Sequence, residues 1–453
     1  MEPQLILILV LAYFGWMLWI GWQAHRGRSK NEVEENFLIG NRNVSAPLVA
    51  VGITMGWVDA FQFAFTPALT FDQGAFGLSY GLVAPVCFVV MGLFAGRIRD
   101  HAAKARAYMM GNYFSHTFSP RCAALVGACM FIYMFTWLII QFVFGSQVIA
   151  AVTGVPPALV ILGMGLVTLA YMMMGGFLAS IRTDLAQFSI FLVFAAVILF
   201  SISPSAPQWF SSKPVAPLSW WAALSIMVVA GISTLIAPDV WQRIYSARSA
   251  AEAKRSMFVT AGLMLPMLAF FGVLGLVVRY FNGAPDSNHV ISAIFQSVVP
   301  QPLMPLAIIA FMAAIMSTMA TSLFGGSMNI ASDILLEMKI INHQKMEKTV
   351  RWLMLVLLLL AMLISQLPFD ILSIGMICMS AVLPVFPLTV AMVLGYQVSE
   401  PAAFYSLLIS LIVYFIGAYL NIYTGAYALA PLVIATVILL VLQGVQPRRS
   451  KVV

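Results

Sequence analysis

Charge is scarce in this chain. Asp, Glu, Lys and Arg make up 9% of the 453 residues, whereas a soluble domain carries roughly 25%. No glycine-rich phosphate loop, HExxH or GxSxG pattern occurs. No polar stretch is long enough for a catalytic domain, so an enzyme is not expected. The four cysteines (Cys87, Cys122, Cys129 and Cys378) lack metal-ligand spacing and fall in or beside apolar runs. They imply no disulfide framework. The histidines His25, His101, His116, His289 and His343 all lie outside the long apolar runs. That placement argues against a histidine proton relay or a haem. Residues 1–22 lack a basic leader, so they read as a span and not as a cleaved signal.

What the chain has in excess is apolar length. Hydrophobic residues reach 62%, and a span needs about 20 of them in a row. About thirteen such runs are present. They include 46–70, 156–178, 183–203, 218–240, 302–332, 350–367 and 426–443. An all-α polytopic membrane protein is therefore expected. The net charge of +7 reflects topology and not nucleic-acid binding. With the N-terminus outside, every Lys and Arg except Lys213 and Arg279 falls on the cytoplasmic side. This asymmetry predicts an outside N-terminus and a cytoplasmic C-terminus.

Three apolar runs carry unusual chemistry. In 46–70, Gly52, Gly56 and Pro67 interrupt the helix pattern and Asp59 sits mid-span. A carboxylate at that depth is costly and marks a functional candidate. In 302–332, Ser317 and Thr318 follow Ala314 by three and four residues, which stacks them on one helix face. The Ala314 carbonyl and two hydroxyls then offer neutral oxygens to one point, as a hard cation such as sodium requires. The plain alternative is small residues that let helices pack closely. In 122–152, Tyr133, Trp137 and Gln141 either line a pocket or simply pack. Asp184 opens the run after Gly175-Gly176 and reads equally as a helix cap. Asp239 is expected to pair with a nearby Arg.

Secondary transporters place their sites at broken helices in matching positions of two inverted repeats. The interrupted runs 46–70 and 218–240, the latter with Gly231 and Pro238, sit in such positions. A five-plus-five core is expected, with repeats at 46–203 and 218–392. Residues 1–45 supply an extra span and loop before it, and 403–453 supply two spans and a tail after it.

The sequence resembles the sodium/solute symporter family. The resemblance rests on Phe37 to Arg42, on Gly175-Gly176 through Thr183, Asp184 and Gln187, on Ala237 to Arg243, and on Ala314 to Asp333. It implies a LeuT-like fold and sodium-driven uptake by alternating access, with sodium as the coupling ion and no other cofactor. It also implies sodium ligands: the carbonyls of Trp57, Ala60 and Ala314 and the hydroxyls of Ser317 and Thr318. Solute is then expected near Asp59, Phe61 and Gln62, with Trp137 and Gln141 beside it and Gly231 to Thr234 facing it. An amine-bearing solute such as proline fits Asp59; monocarboxylates, pantothenate and sugars stay open. A nutrient sensor and a channel are the readings of other classes. Some relatives hold a second sodium at the acid matching Asp184, but Ala320 offers no oxygen there. One sodium per solute is expected, with Asp184 capping its helix or pairing with Arg182. The expected partners are solute, sodium and the bilayer of an inner membrane, with the chain as a monomer.

Overall fold

The computed structural model describes residues 3–26, 33–202, 218–281, 284, 286, 289–423 and 425–443. Arg28, Lys30, Lys213, Arg448, Arg449 and Lys451, which enter the charge asymmetry, lie outside them. The described chain is helical: α1 (Pro3–Arg26), α2 (Val33–Ile39), α3 (Ala46–Trp57), α4 (Ala60–Gln73), α5 (Val83–Lys104) and α6 (Met110–Thr117) come first. Next are α7 (Pro120–Thr153), α8 (Pro157–Ile202), α9 (Trp220–Ile236), α10 (Pro238–Ser246), α11 (Ala250–Tyr280) and α12 (Val290–Ala293). The series closes with α13 (Met304–Met328), α14 (Met346–Ile364), α15 (Ile371–Ser380), α16 (Phe386–Val393), α17 (Glu400–Tyr419) and α18 (Ala430–Gln443).

Among the described residues, nine helical stretches are long and apolar enough to cross a membrane, and the bent pair α3–α4 adds a tenth crossing. The expected runs 156–178 and 183–203 fall on one 46-residue helix, α8. At 1.5 Å per residue it is about 69 Å long, more than twice a bilayer core. It is kinked at Gly176, whose φ is +57°. A Cβ there would sit 2.6 Å from the Phe37 carbonyl, so only glycine allows this turn. The expected runs 350–367 and 426–443 correspond to α14 and α18; α14 carries Glu347, Lys348 and Arg351, and α18 is short.

The break expected in 46–70 lies at Val58 and Asp59, and it bends α3 from α4 by 63°. Pro67 does not cause it, since Pro67 is inside α4. Asp59 does: its carboxylate accepts a hydrogen bond from the Gln62 N–H and so starts α4. The matching break in 218–240 falls at Ala237, and Pro238 opens α10. Pro suits a first helical position because it has no N–H to satisfy.

The innermost helix is α13, with 83% of its apolar window buried, against 22% for α1. It packs on α7 and α8 and touches α3 and α10. A lipid-facing helix needs only apolar bulk, but one surrounded by other helices needs small side chains. Ala310, Ala313, Ala314, Ser317 and Ala320 meet that need.

Helix α11 crosses α4 at Gly275, where any side chain would overlap the Pro67 carbonyl and the Thr70 hydroxyl. Overpacking usually costs about 1–3 kcal/mol, and here backbone must also move. Gly275→Val is expected to lose most of its monodisperse protein in detergent and to lower Tm. Gly262→Ala, with nothing within 4 Å of the added carbon, should match wild type in the same chromatography and melt.

Candidate functional site

The break in the first core helix exposes backbone that the membrane cannot hydrate, so the protein must satisfy it. Gln141 on α7 and Asp59 do this together. Gln141 Nε2 donates to Asp59 Oδ2 at 3.0 Å, and Gln141 Oε1 accepts from the Ala60 N–H at 3.0 Å. Asp59 Oδ1 accepts from Gln62 N–H at 2.8 Å. The carboxylate is buried and already holds two donors.

Around this break lies a central cavity. Trp57, Asp59, Phe61, Gln62, Trp137, Thr234 and Thr318 line it, as does Asp239. Phe61 meets the Trp137 ring edge-on at 5.3 Å, and Trp57 meets Phe88 likewise at 5.4 Å. Tyr80, Tyr133, Ser233, Thr321 and Ser322 complete much of the wall. Gly231 faces away: its carbonyl accepts from the Cys87 thiol at 3.4 Å. Gln141 stands behind Asp59 and is fully buried.

The oxygens expected to hold sodium are divided between two neighbouring places. Thr318 Oγ1 lies 3.4 Å from the Met55 carbonyl, two residues before Trp57. That carbonyl belongs to the last turn of α3, where it accepts from the Val58 N–H at 3.3 Å and where the helix dipole is negative. Ser317 turns the other way and donates to Asp184 Oδ1 at 2.6 Å. Ala314 is buried on the same helix face.

Asp184 does not cap a helix, nor does it pair with Arg182. It sits inside α8, and Arg182, two residues away, points outward. Residues two apart do not face each other on a helix. Its partner is Arg243 on α10, at 3.2 Å. Arg243 Nη2 also donates to Thr321 Oγ1 at 2.9 Å, and Nη1 to Asp239 Oδ2 at 3.2 Å. Asp239 thus has the arginine partner expected for it. Arg243, which the charge asymmetry assigns to the cytoplasmic side, is only 2% exposed. After the break at Ala237, α10 stays in the protein interior, and all nine of its residues are buried. The glycines of α3 make room for this cluster. A Cβ at Gly52 would lie 2.9 Å from Arg243 Nε and 3.2 Å from Asp184 Oδ2. One at Gly56 would lie 3.4 Å from Asp239 Oδ2. The spacing of Asp239 and Arg243 by four residues, just past a proline break, was the sequence signal for the cluster.

The family model for the sodium:solute symporter family matches residues 37–206 and 209–410. The sodium/pantothenate symporter of Haemophilus influenzae is 21% identical over 360 residues, covering 74% of this chain and 73% of that protein. The sodium/pantothenate symporter of Escherichia coli strain K12 is 22% identical over 371 residues, covering 75% and 74%. Among solved structures, a substrate-bound, outward-open Na+-coupled sialic acid symporter superposes with a TM-score of 0.79. It is 17% identical, and 96% of each chain is covered.

Proposed function

The chain belongs to the sodium:solute symporter family and is a multi-pass, sodium-coupled symporter with a LeuT-like fold, and we propose that it imports a small polar solute bearing an amine, an amino acid such as proline being the favoured case. One observation carries the choice. Asp59 lines the central cavity, the cavity's other acid, Asp239, is paired with Arg243, and among the described residues no Lys or Arg lines the cavity. A solute with a positive group is attracted there, and a purely anionic one is repelled. Trp57, Phe61 and Trp137 supply aromatic faces for the apolar or cationic part of the solute. Gln62, Thr234 and Ser233 supply hydrogen bonds.

In this reading sodium joins the end of α3 to α13. Ser317, Thr318 and the Ala314 carbonyl are its α13 ligands. The α3 ligands are carbonyls of the last turn and the break, from Met55 through Trp57 to Ala60. The negative C-terminal end of α3 favours a cation. The inward sodium gradient drives uptake, and each charge moved gains about 2.3 kcal/mol per 100 mV. The protein works as a monomer in an inner membrane, N-terminus outside and C-terminus cytoplasmic, with repeats at 46–203 and 218–392.

The second reading is pantothenate, for which the two curated relatives are named. It requires hydroxyls and helix N-termini to hold a carboxylate beside Asp59. A thermal-shift screen of purified protein, in sodium and in potassium, separates the two. Proline or another amino acid should raise Tm in sodium only. A sodium-dependent rise with pantothenate and with no amine-bearing solute would replace the first reading by the second.

A further inference from the structure

We propose that a groove at the start of α11, lined by Ala251, Lys254, Arg255, Phe258 and Val259, binds one anionic phospholipid, with the lipid phosphate on the two cations and an acyl chain on the apolar pair. This site is separate from the central cavity and from the residues proposed to hold sodium. Offsets of three and four place the five residues on one helix face. That face looks outward. Lys254, Arg255 and Phe258 are exposed, whereas Ala253, Ser256, Met257 and Thr260 on the other side are buried. The face changes character along the axis. The two cations come first, and Phe258 and Val259 follow four residues on, about 6 Å further at 1.5 Å per residue. From Met257 to Val278 the helix carries no charged side chain, so the cations mark the polar edge of the bilayer. A phospholipid has the same order, a charged headgroup and then methylenes. The Phe258 ring is a fixed wall, because it rests on α5 at Gly92, where an added Cβ would lie 2.9 Å from its Cζ.

The neighbouring acids leave both cations available. Glu252 Oε2 accepts from the Ala46 N–H at 2.6 Å, and Asp100 on α5 pairs with Arg99 at 3.4 Å. Among the described residues, neither Lys254 nor Arg255 has an acid partner. Two uncompensated cations beside an apolar wall suit a phosphate, which Arg holds with two hydrogen bonds and Lys as a point charge. Basic sites at the cytoplasmic edge of membrane helices recognise such headgroups, and in the proposed orientation the groove faces the cytoplasmic leaflet. A zwitterionic headgroup carries its own cation, which Lys254 and Arg255 repel. The competing explanation is that the two cations only reach for the headgroup layer and fix topology, in which case any lipid serves.

The test is native mass spectrometry of the full-length protein in detergent, titrated with phosphatidylglycerol or with phosphatidylcholine of the same chains. Wild type should retain one phosphatidylglycerol about tenfold more tightly than phosphatidylcholine. Lys254→Gln combined with Arg255→Gln should abolish that preference. Lys254→Arg combined with Arg255→Lys keeps both charges and should keep it. Lys345→Gln combined with Lys348→Gln removes the same charge from exposed positions at the start of α14 and should behave as wild type. Inorganic phosphate in excess should leave the lipid bound, because Phe258 and Val259 hold its chain. Equal retention of the two lipids by wild type would overturn the proposal, as would an unchanged preference in the Lys254 and Arg255 glutamine variant. An equal loss in the Lys345 and Lys348 variant would show a response to net charge alone and would also overturn it. Displacement by inorganic phosphate would make free phosphate, and not a lipid, the occupant.

Discussion

Exchanging Asp59 for asparagine is expected to weaken apparent sodium or solute affinity at least tenfold, about 1.4 kcal/mol. A second exchange, Gln141→Glu, is expected to bring most of it back. The reason is the direction of each hydrogen bond. Asp59 accepts from Gln62 N–H and from Gln141 Nε2, while Gln141 Oε1 accepts from Ala60 N–H. In Asp59→Asn the new amide group points its own N–H at the Gln141 amide. Gln141 cannot turn over without facing its donors toward Ala60 N–H. A buried donor left unpaired costs about 1–3 kcal/mol, and the break in the first core helix loosens. With Gln141→Glu added, the introduced carboxylate accepts from both Ala60 and the asparagine. All three hydrogen bonds and the single negative charge are then restored, with the charge moved by one side chain. Uptake kinetics of both variants, against sodium and against solute, separate two roles. Recovery of sodium affinity but not of solute affinity would show that Asp59 also contacts the solute. No loss in the single variant would make Asp59 a packing residue.

Thr318→Ala is expected to raise the half-saturating sodium concentration tenfold or more, with the maximal uptake rate near that of wild type. Thr318→Ser, which keeps the hydroxyl, should change little. Thr318 is the α13 hydroxyl that meets an α3 carbonyl, so in the proposed reading it is the contact through which one ion would join the broken helix to the innermost one. Loss of an interaction that only binds the ion raises the concentration needed without slowing later steps. Equal sodium dependence in Thr318→Ala and wild type would remove this residue from the site. The change is also small enough not to disturb folding: it removes a methyl and a hydroxyl from a 4% exposed position.

Much of the fold was legible because a membrane permits so few backbone arrangements. Interrupted spans at 46–70 and 218–240 could only be broken helices facing a cavity, and both are broken. The hydroxyls of α13 were legible in the sequence, but the single meeting point expected from their three-and-four spacing was not found: Ser317 donates to Asp184 and Thr318 lies against the Met55 carbonyl. Those partners were not legible. Which carbonyl Thr318 meets depends on the backbone angles of Val58 and Asp59, and a shift of two residues in the break separates Met55 from Trp57. The partner of Asp184 lies 59 residues away, on a segment whose charges look like an ordinary cytoplasmic loop. Positive-inside counting assigns a side to each Arg but no depth, so it could not reveal that Arg243 reaches back into the protein. The role of Gly52 and Gly56 was half visible. In the sequence they mark interruptions of the helix pattern, whereas α3 continues through both and their missing side chains leave room for a buried ion cluster.

The most direct measurement is equilibrium binding of radioactive sodium to the purified protein, wild type beside Thr318→Ala, in a background of potassium. The account predicts saturable binding of one ion by wild type, no competition from potassium, and at least a tenfold weaker isotherm for the variant. Superimposable isotherms for the two proteins, or no saturable sodium binding to wild type, would contradict a sodium site between α3 and α13.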